Sequence, residues 1–207
     1  TNGEIYNYRE LTKSLVELGH KFKSHSDAET IVHLYERYGP EVCAKMLDGI
    51  YAFVLYDSKN DTVFVGRDSI GVKPLYLGRS TTDGTIWFAS EMKVLKDHCD
   101  SIQLFQPGFY YLHKNVSSPD STPVGEFFRY YEPEWFDPTK FRTENVDYVE
   151  LRQTLEKVVE KQLISDVPVG VLLSGGLDSS LISAITRKLI DKNIPLHSFS
   201  VGIGESE

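Results

Sequence analysis

The chain has 207 residues, enough for one large or two small domains, and its 41% hydrophobic and 25% charged content is that of a globular protein. A net charge of −8 argues against broad binding to phosphate backbones, although a pocket of backbone N–H groups can still take one anion. No run approaches the ~20 apolar residues of a membrane helix, no signal peptide is visible, and Cys43 and Cys99 form no CxxC pair, so reduced thiols in a cytoplasmic protein are expected.

Asn7 to His20 reads as a helix, with Asn7 as cap, Glu10 at the capping-box position, and Leu11, Leu15 and Leu18 on one face. Gly19 stands where helices stop. A second helix spans about Asp27 to Tyr38, presenting Ile31, Leu34, Tyr35 and Tyr38, with Gly39 after it. A short third covers about Glu41 to Leu47. Then the periodicity shortens: Ile50–Tyr56, Thr62–Val65, Thr85–Ala89 and Phe109–Leu112 are β-branched or aromatic runs, parted by turn-formers at Asp57–Asn60 and Asp83-Gly84. Helices packed on antiparallel sheets are expected.

Asn115 to Pro138 is rich in Ser, Pro and aromatics, including Ser117, Ser118, Pro119 and Pro123. Phe127, Phe128, Tyr130, Tyr131, Trp135 and Phe136 argue for a packed crossover between domains rather than a free linker. Asp147 to Ile164 reads as a capped amphipathic helix with Tyr148, Leu151, Leu155 and Val158 as its stripe. Val169–Leu173 reads as a buried strand, Leu177–Ile190 as a helix and Leu196–Val201 as a strand, a βαβ unit. The expected division is 1–114, a crossover at 115–145, and 146–207.

Between that strand and helix lies Leu172-Leu173-Ser174-Gly175-Gly176-Leu177-Asp178-Ser179-Ser180. Two glycines let backbone approach a ligand closely, and the helix start favours an anion. The Gly-Lys-Ser/Thr end of a Walker A loop is absent. A plain Gly-rich turn with an Asp or Ser cap is the competing reading. The loop resembles the SGGxDS pyrophosphate loop of the ATP pyrophosphatase superfamily. That resemblance implies Ser174, Gly175, Gly176, Asp178 and Ser179 around the pyrophosphate of ATP, bridged by Mg2+, with Leu172 and Val201 at the adenine end.

The chain opens Thr1-Asn2-Gly3-Glu4-Ile5-Tyr6-Asn7, where Asn-Gly alone would signal a turn. Further runs follow: Leu47-Asp48-Gly49-Ile50-Tyr51-Ala52-Phe53, Gly66-Arg67-Asp68-Ser69-Ile70-Gly71-Val72-Lys73-Pro74-Leu75-Tyr76, and Phe88-Ala89-Ser90-Glu91. Together they resemble the class II glutamine amidotransferase domain, an α+β N-terminal-nucleophile hydrolase with an αββα sandwich of antiparallel sheets. Followed by the SGGLDS loop and the start of an α/β parallel-sheet domain, the whole resembles the glutamine-hydrolysing asparagine synthetase family.

The resemblance assigns Asn2 and Gly3 to an oxyanion hole and to glutamine binding, and Glu4 and Asp27 to the amino-acid end of glutamine. Donors aimed at a developing oxyanion, and acids facing an ammonium, are what amide hydrolysis needs. It also implies a nucleophilic cysteine upstream of Thr1, so an internal piece of a longer enzyme, inactive by itself, is expected. Competing roles are an N-cap for Asp27, a solvated turn for Glu4, and an internal brace for Arg67 and Asp68. Lys73 and Glu91 read as structural, and Cys43 as a small buried residue. The six histidines show no metal-binding spacing, and no metal ligand set is read.

For the intact protein the resemblance implies ATP-dependent asparagine synthesis from aspartate and glutamine-derived ammonia through β-aspartyl-AMP. Glutamine, aspartate and ATP are the expected partners, without nucleic acid or membrane, and a homodimer is left open. A β-lactam synthetase-like amidotransferase and a non-catalytic nucleotide-binding relative are the alternatives.

Overall fold

The computed structural model describes residues 1–117, 125–140, 145–165 and 167–202. Ser118, Pro119 and Pro123 of the expected crossover lie outside the described residues. The chain forms two compact units, Thr1–Phe141 and Arg142–Glu207.

In the first unit the elements run β1 (Asn2–Ile5), α1 (Tyr8–Glu17), α2 (Glu29–Met46), β2 (Gly49–Asp57), β3 (Thr62–Arg67), β4 (Tyr76–Arg79), β5 (Ile86–Ala89), α3 (Met92–Leu95), β6 (Ser101–Leu104), β7 (Phe109–Lys114) and β8 (Glu126–Arg129). One antiparallel sheet has the order β1-β2-β3-β7-β8 and a second the order β5-β4-β6.

Alternation along the central strands builds two cores, because neighbouring side chains point to opposite faces. Tyr51, Phe53, Phe64 and Tyr110 meet Leu11, Leu15, Ile31 and Leu34 of the helices. Ala52, Val65 and Tyr111, one position away, meet Leu75, Leu77 and Phe105 of the second sheet. On the outer face of that sheet, a Cβ at Gly78 would lie 2.4 Å from the Cys99 sulfur and 3.4 Å from Leu95, so α3 and its turn cover β4 closely. The layers therefore run helices, sheet, sheet, short helix, the αββα order expected.

Several local expectations change. Asn7 does not cap α1: its amide donates to Met46 O at 2.9 Å, and its oxygen accepts from Asp48 N at 3.0 Å. The side chain ties two loops together instead. The second and third helices form one run, kinked at Gly39, whose φ is +79, before Pro40. Leu18, at the C-cap of α1, and Tyr38, just before the Gly39 kink of α2, are exposed. β1, β4 and β6 carry too few β-branched residues to be read as strands.

The aromatic crossover is corrected most. β8 pairs with β7, placing Phe127 against Tyr111 and Phe105, and Phe128 in a stack 5.0 Å from Tyr110. Tyr130 donates to Arg67 O at 2.7 Å and meets the Tyr51 hydroxyl at 3.0 Å. These residues are core of the first unit. Trp135 and Phe136 remain exposed.

The second unit contains α4 (Tyr148–Gln162), β9 (Gly170–Leu172), α5 (Leu177–Leu189) and β10 (His197–Phe199). Asp147 caps α4, accepting from Val149 N and Glu150 N at 2.8 and 3.1 Å. β9 and β10 pair in parallel through α5, the βαβ connection expected. The expected stripe of α4 is largely exposed, and Val159 is the residue it buries. Leu172 of β9, expected inside, is 81% exposed. A two-stranded sheet with one helix crossing over it offers too little apolar surface to bury both.

Candidate functional site

Asn2, Gly3, Glu4 and Asp27 come together at one edge of the larger sheet. Asn2 lies opposite Ala52, so its side chain, and that of Glu4 two residues on, share the face turned to the second sheet. Asn2 Nδ2 donates to Ser90 Oγ, just past β5, at 3.1 Å. That bond ties the edges of both sheets and sets the direction of the Asn2 amide. Ser90 belongs to the Phe88–Glu91 run, the only sequence signal that singled it out.

Gly3 has φ +132, and a Cβ there would lie 1.9 Å from Ile50 O. Only glycine lets β1 pair at this distance. Asp27 accepts from Ile5 N at 2.7 Å through Oδ2. Its side chain makes no cap, because α2 begins at Glu29 with Ala28 in the N-cap position. The competing N-cap role thus falls, and Asp27 pins its loop to β1 beside Glu4. The Tyr6 hydroxyl is pushed up first by burial, then by the charges of Glu4, Asp48 and Asp68. Three carboxylates, Glu4, Asp48 and Asp68, thus lie around the end of β1.

Behind the edge, Arg67 and Asp68 organise the 68–75 loop. Arg67 donates to the carbonyls of Lys73, Phe105 and Gly71 at 2.7, 2.5 and 2.8 Å. Asp68, fully buried, accepts from the backbone N–H groups of Tyr51, Ile70, Val72 and Lys73. The expected brace exists, but each side chain holds backbone rather than serving mainly its neighbour. Lys73 enters through its main chain. Glu91 pairs with Lys93 at 3.0 Å on the surface. Burial pushes the Cys43 thiol up to about 12, so it is a packed residue and not a nucleophile.

In the second unit the loop after β9 is open. Gly175 has φ +84, and a Cβ there would touch nothing within 4 Å. Gly176 occupies the N-cap of α5 and brings no side-chain acceptor to the first helical amides. The Ser174 and Ser179 hydroxyls are 3.0 Å apart, and Ser179 also reaches Gly176 O at 3.2 Å. Asp178 sits in the first turn of α5. Leu173 N donates to Phe199 O at 2.8 Å and Ser200 Oγ to Leu173 O at 2.6 Å, holding the loop at the carboxyl ends of the parallel strands. Ligands of open parallel sheets bind at those ends. Leu172, Asp178 and Ser179 line a groove of about 530 Å³ shared with α4. Val201, just beyond β10, is fully exposed and stands outside that lining.

Among the described residues no helix is long and apolar enough to cross a membrane. The glutamine amidotransferase domain family matches residues 1–129, and the asparagine synthase family matches residues 150–207. A glutamine-hydrolysing asparagine synthetase of Sandersonia aurantiaca is 45% identical over 98% of this chain and 37% of its own length. A probable one from Schizosaccharomyces pombe is 43% identical over 98% of the chain and 37% of its length, and a probable one from Dictyostelium discoideum 41% over 99% and 38%. The chain thus spans little more than a third of these curated relatives. Among solved structures, a glutamine phosphoribosylpyrophosphate amidotransferase from B. subtilis with ADP and GMP aligns at TM-score 0.52 and 18% identity, over 96% of this chain and 44% of that one. An allosteric regulatory enzyme of purine biosynthesis aligns at 0.53 and 23%, over 95% and 43%. At these identities the likeness establishes the fold alone.

Proposed function

We propose a function from one premise: the chain belongs to the glutamine amidotransferase domain family. In the intact protein, the first unit hydrolyses glutamine to glutamate and ammonia. The second activates the side-chain carboxylate of aspartate with ATP, giving β-aspartyl-AMP and pyrophosphate. Ammonia then displaces AMP, and asparagine results. Two reduced thiols suit a cytoplasmic enzyme.

The observation that carries this reading is the 2.7 Å bond from Ile5 N to Asp27, which gathers Asn2, Gly3, Glu4 and Asp27 on one strand edge. In this reading the Asn2 amide and the Gly3 backbone N–H would donate to an oxyanion, whose charge exists only after attack on the amide carbon. Glu4 and Asp27 would face the ammonium of the substrate. Residues 174–179 fit the phosphates of MgATP: the Gly175 side is open, Gly176 leaves helix amides available, and two hydroxyls converge. MgATP supplies AMP as the activated leaving group on a carboxylate. This chain's own contribution is to seat and neutralise the phosphates with backbone amides and the α5 dipole.

The test separates the halves. In the intact enzyme, Asn2→Ala abolishes asparagine formation from glutamine and leaves formation from added ammonium. Asp178→Asn reduces both. Undiminished glutamine-dependent synthesis by Asn2→Ala defeats the assignment of the first unit.

A further inference from the structure

Three side chains outside the Asn2–Asp27 cluster converge in a way that neither half of the proposed reaction uses. His20 follows α1, where Gly19, at φ +95, ends the helix. Gly19 N donates to Val16 O at 2.9 Å and His20 N to Leu15 O at 3.0 Å, the two bonds of a Schellman motif. The backbone of His20 is therefore fixed. His33 and Glu36 lie three residues apart on one face of α2.

The Nδ1 atoms of His20 and His33 approach to 3.2 Å. Glu36 Oε2 lies 3.8 Å from the first and 4.0 Å from the second. A point equidistant from all three atoms is about 2.1 Å from each, within the range of zinc–nitrogen and zinc–oxygen bonds. Both imidazoles are 14% exposed, and the Phe22 ring packs 4.2 Å from His33. Glu36 is 60% exposed, leaving a solvent side for a fourth ligand.

The second nitrogen of His33 decides what its first can do. Nε2 lies 3.4 Å from Glu29 Oε1. Glu29 is itself held in place, accepting hydrogen bonds from the Ser24 hydroxyl and from the Lys23 and Ser24 amides. In the tautomer that donates from Nε2 to this carboxylate, Nδ1 of His33 is the free acceptor atom, and it is the one turned toward His20 and Glu36. A carboxylate behind an imidazole is the usual outer support of a metal-bound histidine.

We propose that His20, His33 and Glu36 bind one divalent cation of the zinc class. The ion would join the end of α1 to α2, and Glu29 would connect it to the 23–24 loop that leads into Asp27. The rival arrangement is a shared proton between two neutral histidines, with no ion.

The full 207-residue chain, made without a histidine tag and stripped with a chelator, is titrated with Zn2+ by calorimetry and with Co2+ by visible absorption. The expected result is one equivalent bound, with ligand-field bands of a low-coordinate Co2+. His20→Gln and His33→Gln each lower the affinity at least ~100-fold, and exposed Glu36→Gln, which leaves the fold intact, lowers it about 10–100-fold. Absence of saturable binding overturns the proposal. So does equal binding by wild type and Glu36→Gln, or loss of binding only when other histidines are replaced.

Discussion

Gly3 and Gly175 both have positive φ, +132 and +84, yet their surroundings are opposite. A Cβ on Gly3 would strike Ile50 O at 1.9 Å, whereas one on Gly175 would meet nothing. The first glycine is required by the sheet; the second borders open space. The same contrast runs through the two units. Around the amide edge, the side chains of Asp27, Arg67 and Asp68 tie strand and loop together by hydrogen bonds to backbone groups, over two buried cores. Around the Gly175 loop, residues 174–178 are exposed, and among the described residues of the unit only Val159, Ile185 and Thr186 are buried. A site can be shaped by the chain itself or left for its ligand to complete.

Substitutions can break this comparison. Gly3→Ala should have the largest effect, roughly 3 kcal/mol or more lost from the first unit, because steric overlap adds to backbone strain. Urea unfolding followed by tyrosine and tryptophan fluorescence reads it; a loss below ~1 kcal/mol would mean that β1 can shift without harm. Asp68→Ala should follow at about 2–3 kcal/mol, since it strands buried N–H donors of the 68–75 loop.

Next comes a pair that separates two roles of one residue. Asp27→Ala should cost about 1–2 kcal/mol by leaving Ile5 N without its acceptor, while Asp27→Asn keeps an oxygen there and most of the stability. If Asp27 also grips an ammonium, the Asn variant loses glutamine affinity without losing stability. Equal glutamine KM in the wild-type and Asn enzymes would reduce Asp27 to a structural role. Gly175→Ala should then cost about 1 kcal/mol in unfolding, through φ alone. Its larger effect is expected on pyrophosphate affinity in the intact protein.

The smallest effect is a pH dependence. Glu29 has a folded pKa pulled from the usual 4.5 to about 2, chiefly by the Ser24 hydroxyl. A lowered carboxylate pKa contributes stability that is complete above about 4.5 and is lost as pH falls through about 2. Amide exchange at Lys23 and Ser24 should therefore lose protection across that window. Protection unchanged at pH 2 would show that the loop does not depend on the charge.

Periodicity made α1, α2, α4, α5 and the central strands legible, because each buries one face or alternates. Short edge strands were not: Asn2–Ile5 reads as a turn, since the reason for its glycine is a carbonyl on β2, 47 residues away in sequence at Ile50. The Asn7 side chain looked like a cap, but Met46 O and Asp48 N lie within its reach only after folding. The Ser174–Ser179 loop was legible as a contiguous motif, whereas Ser90 joins Asn2, and His20, His33 and Glu36 meet, only through the fold. Aromatic content at 127–131 signalled packing, but not against which partner, and the sheet register supplies that.

Tyr130 lies just beyond the last strand of its sheet, and its hydroxyl holds both Tyr51 on β2 and the carbonyl of Arg67 at the end of β3. It works as a latch on the outgoing polypeptide. Tension applied to the chain after residue 131 would be carried by that phenol to Arg67, and so to the carbonyls that Arg67 grips. A tug at the exit of the unit would be felt mechanically at the 68–75 loop, with Tyr130→Phe cutting the cord while keeping the ring.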